Sequence, residues 1–240
     1  MDGRAPGDRP ILVRVDRVPE IAAALDSASI RRDRPVLVLV GGAGGMDDSH
    51  MRLLEVVLRD VVVPVVAERA AVVVDGGTDS GVMRAIGRAR STTGAEFPLV
   101  GVAARGTVVA PGGAPAIGGA ARLEAHHTHV VLVPGTTWGD ESPWLAEVAD
   151  VVAGVAPSVT VLFNGGEISY DDVSRSLEKG RPVVVLAGTG RTADTIAAAA
   201  TGCEGDPRAQ RIAESELIRV VPIEDVAAVR AAVAGALSPH

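Results

Sequence analysis

Runs of β-branched and aliphatic residues recur along the chain, and nearly every run ends in glycine or another small residue. Amphipathic stretches lie between the runs, which is typical of parallel strands covered by helices on both faces of a sheet. The repeated order of strand, glycine-rich turn and helix predicts an α/β fold with a Rossmann-like, doubly wound and mainly parallel sheet. We predict strands at residues 36–40, 71–75, 99–103, 129–133, 159–163 and 183–187, and helices at about 48–60, 80–90, 140–153, 170–179 and 191–200.

The length of 240 residues fits one domain with short additions. We predict that residues 35–240 form this single domain, and that residues 1–34 add a strand and a helix packed on the edge of the sheet. Residues 104–120 contain too much glycine and proline for a regular element, so we expect an irregular loop there.

Charge, cysteine content and hydropathy exclude several classes of function. The 23 basic residues against 30 acidic ones give a net charge of −7, the wrong sign for a general nucleic-acid binder. Cys203 is the only cysteine, so an intramolecular disulfide and a cysteine-based zinc site are excluded. No apolar run reaches the roughly 18 residues of a membrane span, and the start of the chain lacks a signal-peptide pattern. We therefore expect a cytoplasmic protein without a membrane span.

The first glycine-rich turn reads Gly41-Gly42-Ala43-Gly44-Gly45 and lies between a predicted strand and a predicted helix. Glycine lets the backbone approach a ligand closely, and the N–H groups that open a helix attract phosphate. The run is neither a dinucleotide G-x-G-x-x-G motif nor a Walker A loop. It is therefore either a phosphate-binding turn or only a tight connection.

The second glycine-rich turn follows the second predicted strand and has hydroxyl groups suited to phosphate. Gly76 and Gly77 leave the strand, and Thr78 or Ser80 either caps the next helix or holds a phosphate oxygen. Gly81 lies in the first turn of that helix, where a side chain would crowd a bound ligand.

The third glycine-rich turn, Gly188-Thr189-Gly190, opens directly into a helix that begins with Arg191. The guanidinium would supply a positive charge to an anion bound at this turn. The alternative is a surface arginine paired with Asp194 or Glu167. Three such turns at one edge of a sheet suggest a ligand with more than one phosphate, or with a phosphate and a ribose.

The segment 134–141 supplies a fourth candidate loop. Trp138 could stack on a nucleobase there. Asp140 and Glu141 are candidates for acid–base catalysis, for binding ribose hydroxyls, or only for complementing a helix dipole. Glu167, just after Gly166, is a similar carboxylate candidate.

The histidine cluster 126–129 raises the question of a metal site, because His127 and His129 would share a face of a strand. No third ligand has suitable spacing, and the cluster precedes its strand at the amino end. We therefore predict hydrogen-bonded structural histidines and no metal. No nucleophile motif of the G-x-S-x-G type is present, which argues against covalent catalysis.

Several of these blocks occur in one order that resembles a known family. The blocks are Val74–Met83 with Gly87, Leu99–Ala103 with Gly106-Thr107-Val108, His127–Val133 with the Gly-x-x-x-Gly-x-Glu pattern that ends at Glu141, and Gly188–Asp194. They resemble the SLOG superfamily, and in particular the N-terminal homology region of melastatin-type transient receptor potential channels. The resemblance covers residues 35 to about 200.

The resemblance implies a Rossmann-like domain that binds a nucleotide-derived ligand, which in the channels is ADP-ribose. It implies no required cofactor beyond such a nucleotide, and a homodimer or higher oligomer. By position, the glycine-rich turns and Arg191 would line the phosphates, and Trp138 would lie against the ligand. The channel pattern has an arginine in the helix after Trp138, where this chain reads Ser142-Pro143-Trp144-Leu145.

A second branch of the superfamily, the LOG-type enzymes, hydrolyses nucleoside monophosphates. The second turn is similar to the first motif of that branch, but the segment before Glu141 lacks its paired glycines. The sequence thus predicts a binding domain, with a hydrolase that uses Glu141 and Asp140 as the alternative, and a scaffold whose glycine-rich loops are only turns as a third. The candidate ligand-binding residues are Gly41, Gly42, Ala43, Gly76, Gly77, Thr78, Ser80, Gly81, Thr136, Trp138, Gly139, Glu141, Gly166, Gly188, Thr189, Gly190 and Arg191.

Overall fold

A computed structural model describes residues 9–42, 48–109 and 119–239 of the protein. Its strands are β1 (Ile11–Arg14), β2 (Val36–Gly41), β3 (Val72–Asp75), β4 (Leu99–Ala104), β5 (Val108–Val109), β6 (Ala121–Arg122), β7 (His129–Val133), β8 (Ser158–Phe163), β9 (Val183–Ala187) and β10 (Ile218–Pro222). Its α-helices are α1 (Ile21–Ser27), α2 (Asp48–Val57), α3 (Val63–Glu68), α4 (Gly81–Thr93), α5 (Ser142–Ala153), α6 (Glu167–Glu178), α7 (Arg191–Ala200), α8 (Pro207–Ala213) and α9 (Val226–Ala236). A short 3-10 turn precedes α1, and a π-helical segment joins α2 to α3.

Within the described residues, eight strands form one sheet in the order β1-β7-β4-β3-β2-β8-β9-β10, and all neighbouring strands are parallel. Strands β5 and β6 form a separate parallel pair. The structure confirms the predicted single-domain α/β fold with a Rossmann-like, doubly wound sheet. In the part of the chain that is described, no helix is both long and apolar enough to cross a membrane.

Strand β2 shows why the sheet needs helices on both faces. Leu37 and Leu39 point into a core with residues of α2, α3, α4 and α9, whereas Val36, Val38 and Val40 belong to a second core with residues of α1, α5 and α6. Side chains of a strand alternate between the two faces of the sheet, so a continuous apolar run buries both faces. This is the physical basis of the prediction from unbroken apolar runs.

The order of the strands defines where a ligand can bind. From β2 the chain proceeds to β3 and β4 on one side, and it later returns to add β8 and β9 on the other side. The two connections diverge beyond the carboxyl ends of β2 and β8, which leaves a crevice at this topological switch point. The turns after β2, β3 and β8 all open into that region.

Some boundaries differ from the predicted ones. The helix predicted at about 48–60 continues through the π-helical segment into α3 and ends at Glu68. Pro64 does not end the helix, and it lies just after the π-helical segment, where the regular hydrogen-bond pattern is interrupted. Helix α6 begins at Glu167 rather than near 170, because the Ser169 hydroxyl accepts a hydrogen bond from the Gly166 N–H and caps the helix there.

Two further regions were singled out from the sequence. Strand β1 pairs in parallel with β7 at one edge of the sheet, and α1 packs beside α5. The segment 104–120, predicted to be an irregular loop, is not irregular throughout: β4 extends to Ala104, and β5 at Val108–Val109 pairs with β6 just after the segment. Residues 110–118 lie outside the described part of the chain.

Candidate functional site

A cleft of about 420 Å³ opens at the topological switch point. The turns after β2, β3 and β8 form it together with the loop before α5 and the start of α6 and α7. Its lining residues are Leu39, Val40, Gly41, Gly42, Gly76, Thr78, Ser80, Met83, Trp138, Glu141, Leu145, Gly165, Gly166, Glu167, Ile168, Ser169, Asp172 and Arg191.

The turn after β2 needs glycine at its first position. Gly41 has a φ of 146°, a region that favours glycine, and a β-carbon there would overlap the carbonyl oxygen of Phe163 in β8. The backbone of β2 therefore ends close against β8, and the wall of the cleft at this point consists of backbone. Ala43 lies outside the described residues.

The turn after β3 is held by the carboxylate of the last strand residue. Asp75 Oδ1 accepts a hydrogen bond from the Gly77 N–H at 2.7 Å. Ser80 is the N-cap residue of α4, but its side chain makes no capping hydrogen bond. Its hydroxyl instead lies 3.1 Å from the Thr78 hydroxyl. Both hydroxyls therefore line the cleft rather than satisfy the helix.

A buried hydrogen-bonded network lies directly behind this turn. His127 Nε2 donates to Asp75 Oδ1 at 2.7 Å, and His127 Nδ1 donates to Glu124 Oε2 at 2.9 Å. Glu124 also binds the His126 ring at 2.5 Å. All three members of the central network, Asp75, Glu124 and His127, are almost completely inaccessible to solvent.

The electrostatics of the network favour a doubly protonated His127. Burial alone would lower the pKa of His127, but its ion pairs with Asp75 and Glu124 raise the pKa to about 9. Burial alone would raise the pKa of Glu124, but hydrogen bonds from His127 and His126 hold this pKa below its ordinary value. At neutral pH the network is therefore an imidazolium between two carboxylates.

The third turn is already filled by a side chain of the protein. Both carboxylate oxygens of Asp194 accept backbone hydrogen bonds, from the Gly188 N–H at 2.7 Å and from the Gly190 N–H at 3.0 Å. The anion that these amides bind is therefore Asp194. Among the turn residues, Arg191 is the one that reaches the cleft.

Arg191 has an unusual backbone and no carboxylate partner. Its φ is 48°, which a non-glycine residue rarely adopts and which often marks a functional position. Its guanidinium lies against Gly166, with Nη2 3.1 Å from where a β-carbon of residue 166 would be. Of its two expected partners, Asp194 binds the backbone amides and Glu167 pairs with Arg208 at 2.6 Å. Arg191 forms no ion pair with any described residue.

Two carboxyl groups line the cleft: Glu141, the N-cap residue of α5, and Asp172 in α6. Burial raises the pKa of Glu141, although a hydrogen bond from the Gly139 N–H opposes the shift. Burial also raises the pKa of Asp172 to about 7; the nearby Ser142 hydroxyl opposes this shift, and Glu141 adds to it. Near neutral pH, Asp172 thus exchanges between the neutral and the charged form. Asp140, by contrast, binds the Thr136 and Thr137 amides, which lower its pKa.

Trp138 lies at the mouth of the cleft. Its side chain is 47% exposed, which is unusual for a large aromatic residue in a protein with so few of them. An exposed indole that borders a cleft offers a flat surface for a ring of a ligand.

The structure brings about half of the candidate residues together and separates the others. The cleft is lined by Gly41, Gly42, Gly76, Thr78, Ser80, Trp138, Glu141, Gly166 and Arg191. The candidates that do not line it, among the described residues, are Gly77, Gly81, Thr136, Gly139, Asp140, Gly188, Thr189 and Gly190.

Asp172 was absent from the candidate residues. It lies one helical turn after Ile168, which also lines the cleft, so the two share a face of α6. The available signal was its position in the second turn of a helix that follows a glycine-rich turn, four residues after Ile168. That signal has meaning only once β8 is known to flank β2.

The described histidines and Cys203 do not line the cleft. Both ring nitrogens of His129 contact protein groups, with Nδ1 2.8 Å from the Thr128 hydroxyl and Nε2 donating to the Ala28 carbonyl at 3.1 Å. In residues 9–42, 48–109 and 119–239, no group of three or more histidine, cysteine or acidic side chains is arranged so that it could hold a metal ion. Cys203 is exposed on the surface.

A second cavity of about 440 Å³ lies between α6 and α8. Arg208 and Arg211 line it, and Arg208 is paired with Asp206 at 2.7 Å and with Glu167 at 2.6 Å, with its guanidinium 4.1 Å from the centre of the Tyr170 ring. No described glycine lines this cavity. The switch-point cleft, which lies at the carboxyl ends of the strands and is lined by glycine-rich turns, is therefore the candidate functional site.

Comparison with known proteins agrees with this architecture. Mouse transient receptor potential cation channel subfamily M member 2 is 30% identical over 200 residues, and the rat protein of the same name is 29% identical over 196 residues. These alignments cover 68% and 67% of this chain but only 13% of each channel. A family model described as SLOG in TRPM, prokaryote, matches residues 34–232, which include every element from β2 to most of α9. The chain belongs to this prokaryotic SLOG family related to TRPM channels.

Proposed function

We propose that the protein binds a nucleotide-derived ligand, ADP-ribose or a related compound, in the switch-point cleft. The observation that carries this proposal is Arg191. Its guanidinium lies in the cleft beside Gly166, has no carboxylate partner among the described residues, and extends from a backbone in a rare conformation. An arginine that lines a cleft and has no carboxylate partner is suited to binding a phosphate of the ligand.

The other walls of the cleft fit the remaining parts of such a ligand. Gly41, Gly42 and Gly76 offer backbone at close range, and the hydroxyls of Thr78 and Ser80 can hydrogen-bond phosphate oxygens. Trp138 at the mouth offers a stacking surface for a base. The membership of the SLOG family favours a nucleotide-related ligand of this kind.

A hydrolase is the second candidate function, and the pair of carboxyl groups favours it. Glu141 and Asp172 line the same cleft, and the pKa of Asp172 is raised to about 7. A carboxyl group that titrates near the working pH can give or accept a proton in cleavage of a glycosidic bond. In that case Asp172 would assist Glu141 in catalysis, the role that we predicted for Asp140 from the sequence.

Calorimetric titration with ADP-ribose, followed by chromatography of the recovered ligand, tests both candidates. The binding proposal expects saturable heat, intact ligand, and a loss of about 10- to 100-fold in affinity for Arg191→Ala, the effect of removing one charge-assisted hydrogen bond. Arg219→Ala, at an exposed position on β10, is the matched control and should bind like the wild type. Absence of heat with every adenine nucleotide would reject the proposal.

Recovery of the ligand as fragments would favour the hydrolase. Glu141→Gln and Asp172→Asn should then abolish or slow the cleavage, whereas Asp171→Asn, on the exposed face of the same helix, should not. We also propose, from the family resemblance alone, that the protein forms a homodimer or higher oligomer, and we expect it in the cytoplasm.

A further inference from the structure

The ligand-binding turn after β3 is attached to a second segment of the chain. Its backbone pairs with residues 122–124: the Glu124 N–H donates to the Gly77 carbonyl at 2.9 Å, and the Asp79 N–H donates to the Arg122 carbonyl at 2.7 Å. The turn is therefore not a free loop. Its position depends on whatever fixes residues 122–128.

The neighbouring strand β4 leaves the turn no room to relax. A β-carbon at Gly77 would lie 3.0 Å from the Cα of Gly101, and one at Gly101 would lie 3.2 Å from the His127 ring. Gly77 also has a φ of 67°, a region that favours glycine. The turn, Gly101 and His127 are thus closely packed, and a side chain added at Gly77 or Gly101 would displace its neighbours.

Asp75 Oδ1 is the atom at which these constraints meet. It accepts one hydrogen bond from the Gly77 N–H in the turn and another from His127 Nε2 behind it. On the other side of its ring, His127 binds Glu124, whose own N–H is bonded to the Gly77 carbonyl. His127 therefore lies between Asp75, whose carboxylate holds the Gly77 N–H, and Glu124, whose backbone N–H holds the Gly77 carbonyl.

We propose that His127, in its doubly protonated form, is a positioning residue for the ligand-binding turn, and that removal of its proton in alkaline solution weakens ligand binding. The part of this inference that concerns ligand affinity rests on the proposed function. The part that concerns the shape of the turn does not.

The reason is the number of hydrogen-bond donors on the ring. The imidazolium donates from both nitrogens, to Asp75 and to Glu124, whereas the neutral ring has only one N–H. Without the second proton, one buried carboxylate faces a lone pair and loses its counter-charge. The other charged or titratable groups at this network are His126, which binds Glu124 on its outer side, and Arg90 of α4, which attracts Glu124. Neither contacts Asp75.

The first test follows the turn itself in the ligand-free protein. The protection of the Gly77 amide against hydrogen exchange, measured by NMR, should fall about tenfold or more in His127→Gln, because Asp75 loses its buried partner. His126→Gln is the matched control, since it also removes a histidine from Glu124 but leaves Asp75 untouched. Equal Gly77 protection in wild type and His127→Gln would overturn the inference.

A measurement on the wild type covers the case in which His127→Gln does not fold. The nitrogen chemical shifts of the His127 ring should indicate a doubly protonated ring at pH 7 and a transition near pH 9. A neutral ring at pH 7 would overturn the inference. In Glu124→Gln, which retains a polar partner without the charge, the transition should move to lower pH.

The second test uses ADP-ribose as the probe between pH 7 and pH 10. We expect the wild-type affinity to fall as the pH rises through about 9, and we expect His127→Gln to bind more weakly at pH 7 without that alkaline decrease. An identical pH profile in the two proteins would overturn the link to binding. If the wild type binds neither ADP-ribose nor any other adenine nucleotide at any pH, the proposed function fails, and the Gly77 protection still decides whether His127 positions the turn.

Discussion

Substitution of His127 by glutamine should lower the free energy of unfolding by an amount that depends on pH in a defined way. His127 is completely buried, and it is the cation between Asp75 at 2.7 Å and Glu124 at 2.9 Å. Removing it leaves two buried carboxylates without their counter-charge. Loss of one partner from a buried ion pair usually costs about 3–5 kcal/mol.

The raised pKa gives an independent magnitude and fixes the sign. The pKa of His127 rises from 6.5 in the unfolded chain to about 9 in the fold, which corresponds to about 3 kcal/mol of stabilisation. This contribution is fully present below pH 6.5, because both states are then protonated. Between pH 6.5 and 9 the folded protein holds a proton that the unfolded chain lacks, so the stability falls as the pH rises. Above 9 the contribution is gone.

Urea denaturation of the wild type and His127→Gln at intervals from pH 6 to pH 10 measures both effects. We expect the variant to be about 3 kcal/mol less stable at pH 6, and the difference to shrink toward pH 10. His126→Gln, whose ring is partly exposed, should stay within about 1 kcal/mol of the wild type. A His127→Gln curve that runs parallel to the wild-type curve would refute the assigned charge state.

Three further changes test other parts of the structure. A β-carbon at Gly87 would overlap the carboxylate of Glu124. Gly87→Ala should therefore destabilise the fold by about 1–3 kcal/mol in the same denaturation assay. An unchanged denaturation midpoint would contradict this packing. The pKa of Asp172 is raised to about 7 in the fold, so its burial costs stability increasingly as the pH rises from 4 to 7. Asp172→Asn should therefore increase the unfolding free energy at pH 8, by up to about 4 kcal/mol, and should have little effect at pH 4. Trp138 borders the cleft, whereas Trp144 lies on α5 and does not line it. A fluorescence change on addition of ADP-ribose should therefore disappear in Trp138→Phe and persist in Trp144→Phe. The reverse pattern would contradict the location of the site.

The fold was predictable because its signal is local and repeated. A strand that is buried on both faces has a continuous apolar sequence whichever strands flank it. A glycine after such a run marks the carboxyl end of the strand. The turns of Gly41, Gly76 and Gly188 could therefore be assigned to one edge of the sheet before any strand order was known, although only the first two line the cleft, together with the turn of Gly166. The convergence of the turns that line the cleft follows from β3 and β8 flanking β2.

The rest of the site depends on contacts that the sequence does not encode locally. His127 and Asp75 are 52 positions apart, and their hydrogen bond depends on β3, β4 and β7 being neighbours. Asp194 shows the opposite case, because its carboxylate fills a turn that had the local features of an anion site. Local pattern thus identified amides able to bind an anion, and only the tertiary structure showed which anion they bind.

Titration of the protein with ADP-ribose, side by side with Arg191→Ala and Arg219→Ala, shows whether the ligand binds at Arg191 in the switch-point cleft. We expect saturable binding to the wild type and to Arg219→Ala, and an affinity lower by about 10- to 100-fold in Arg191→Ala. Equal affinity of all three proteins would place the ligand away from the switch-point cleft. No binding of ADP-ribose or of any other adenine nucleotide to the wild type would contradict the proposed function itself.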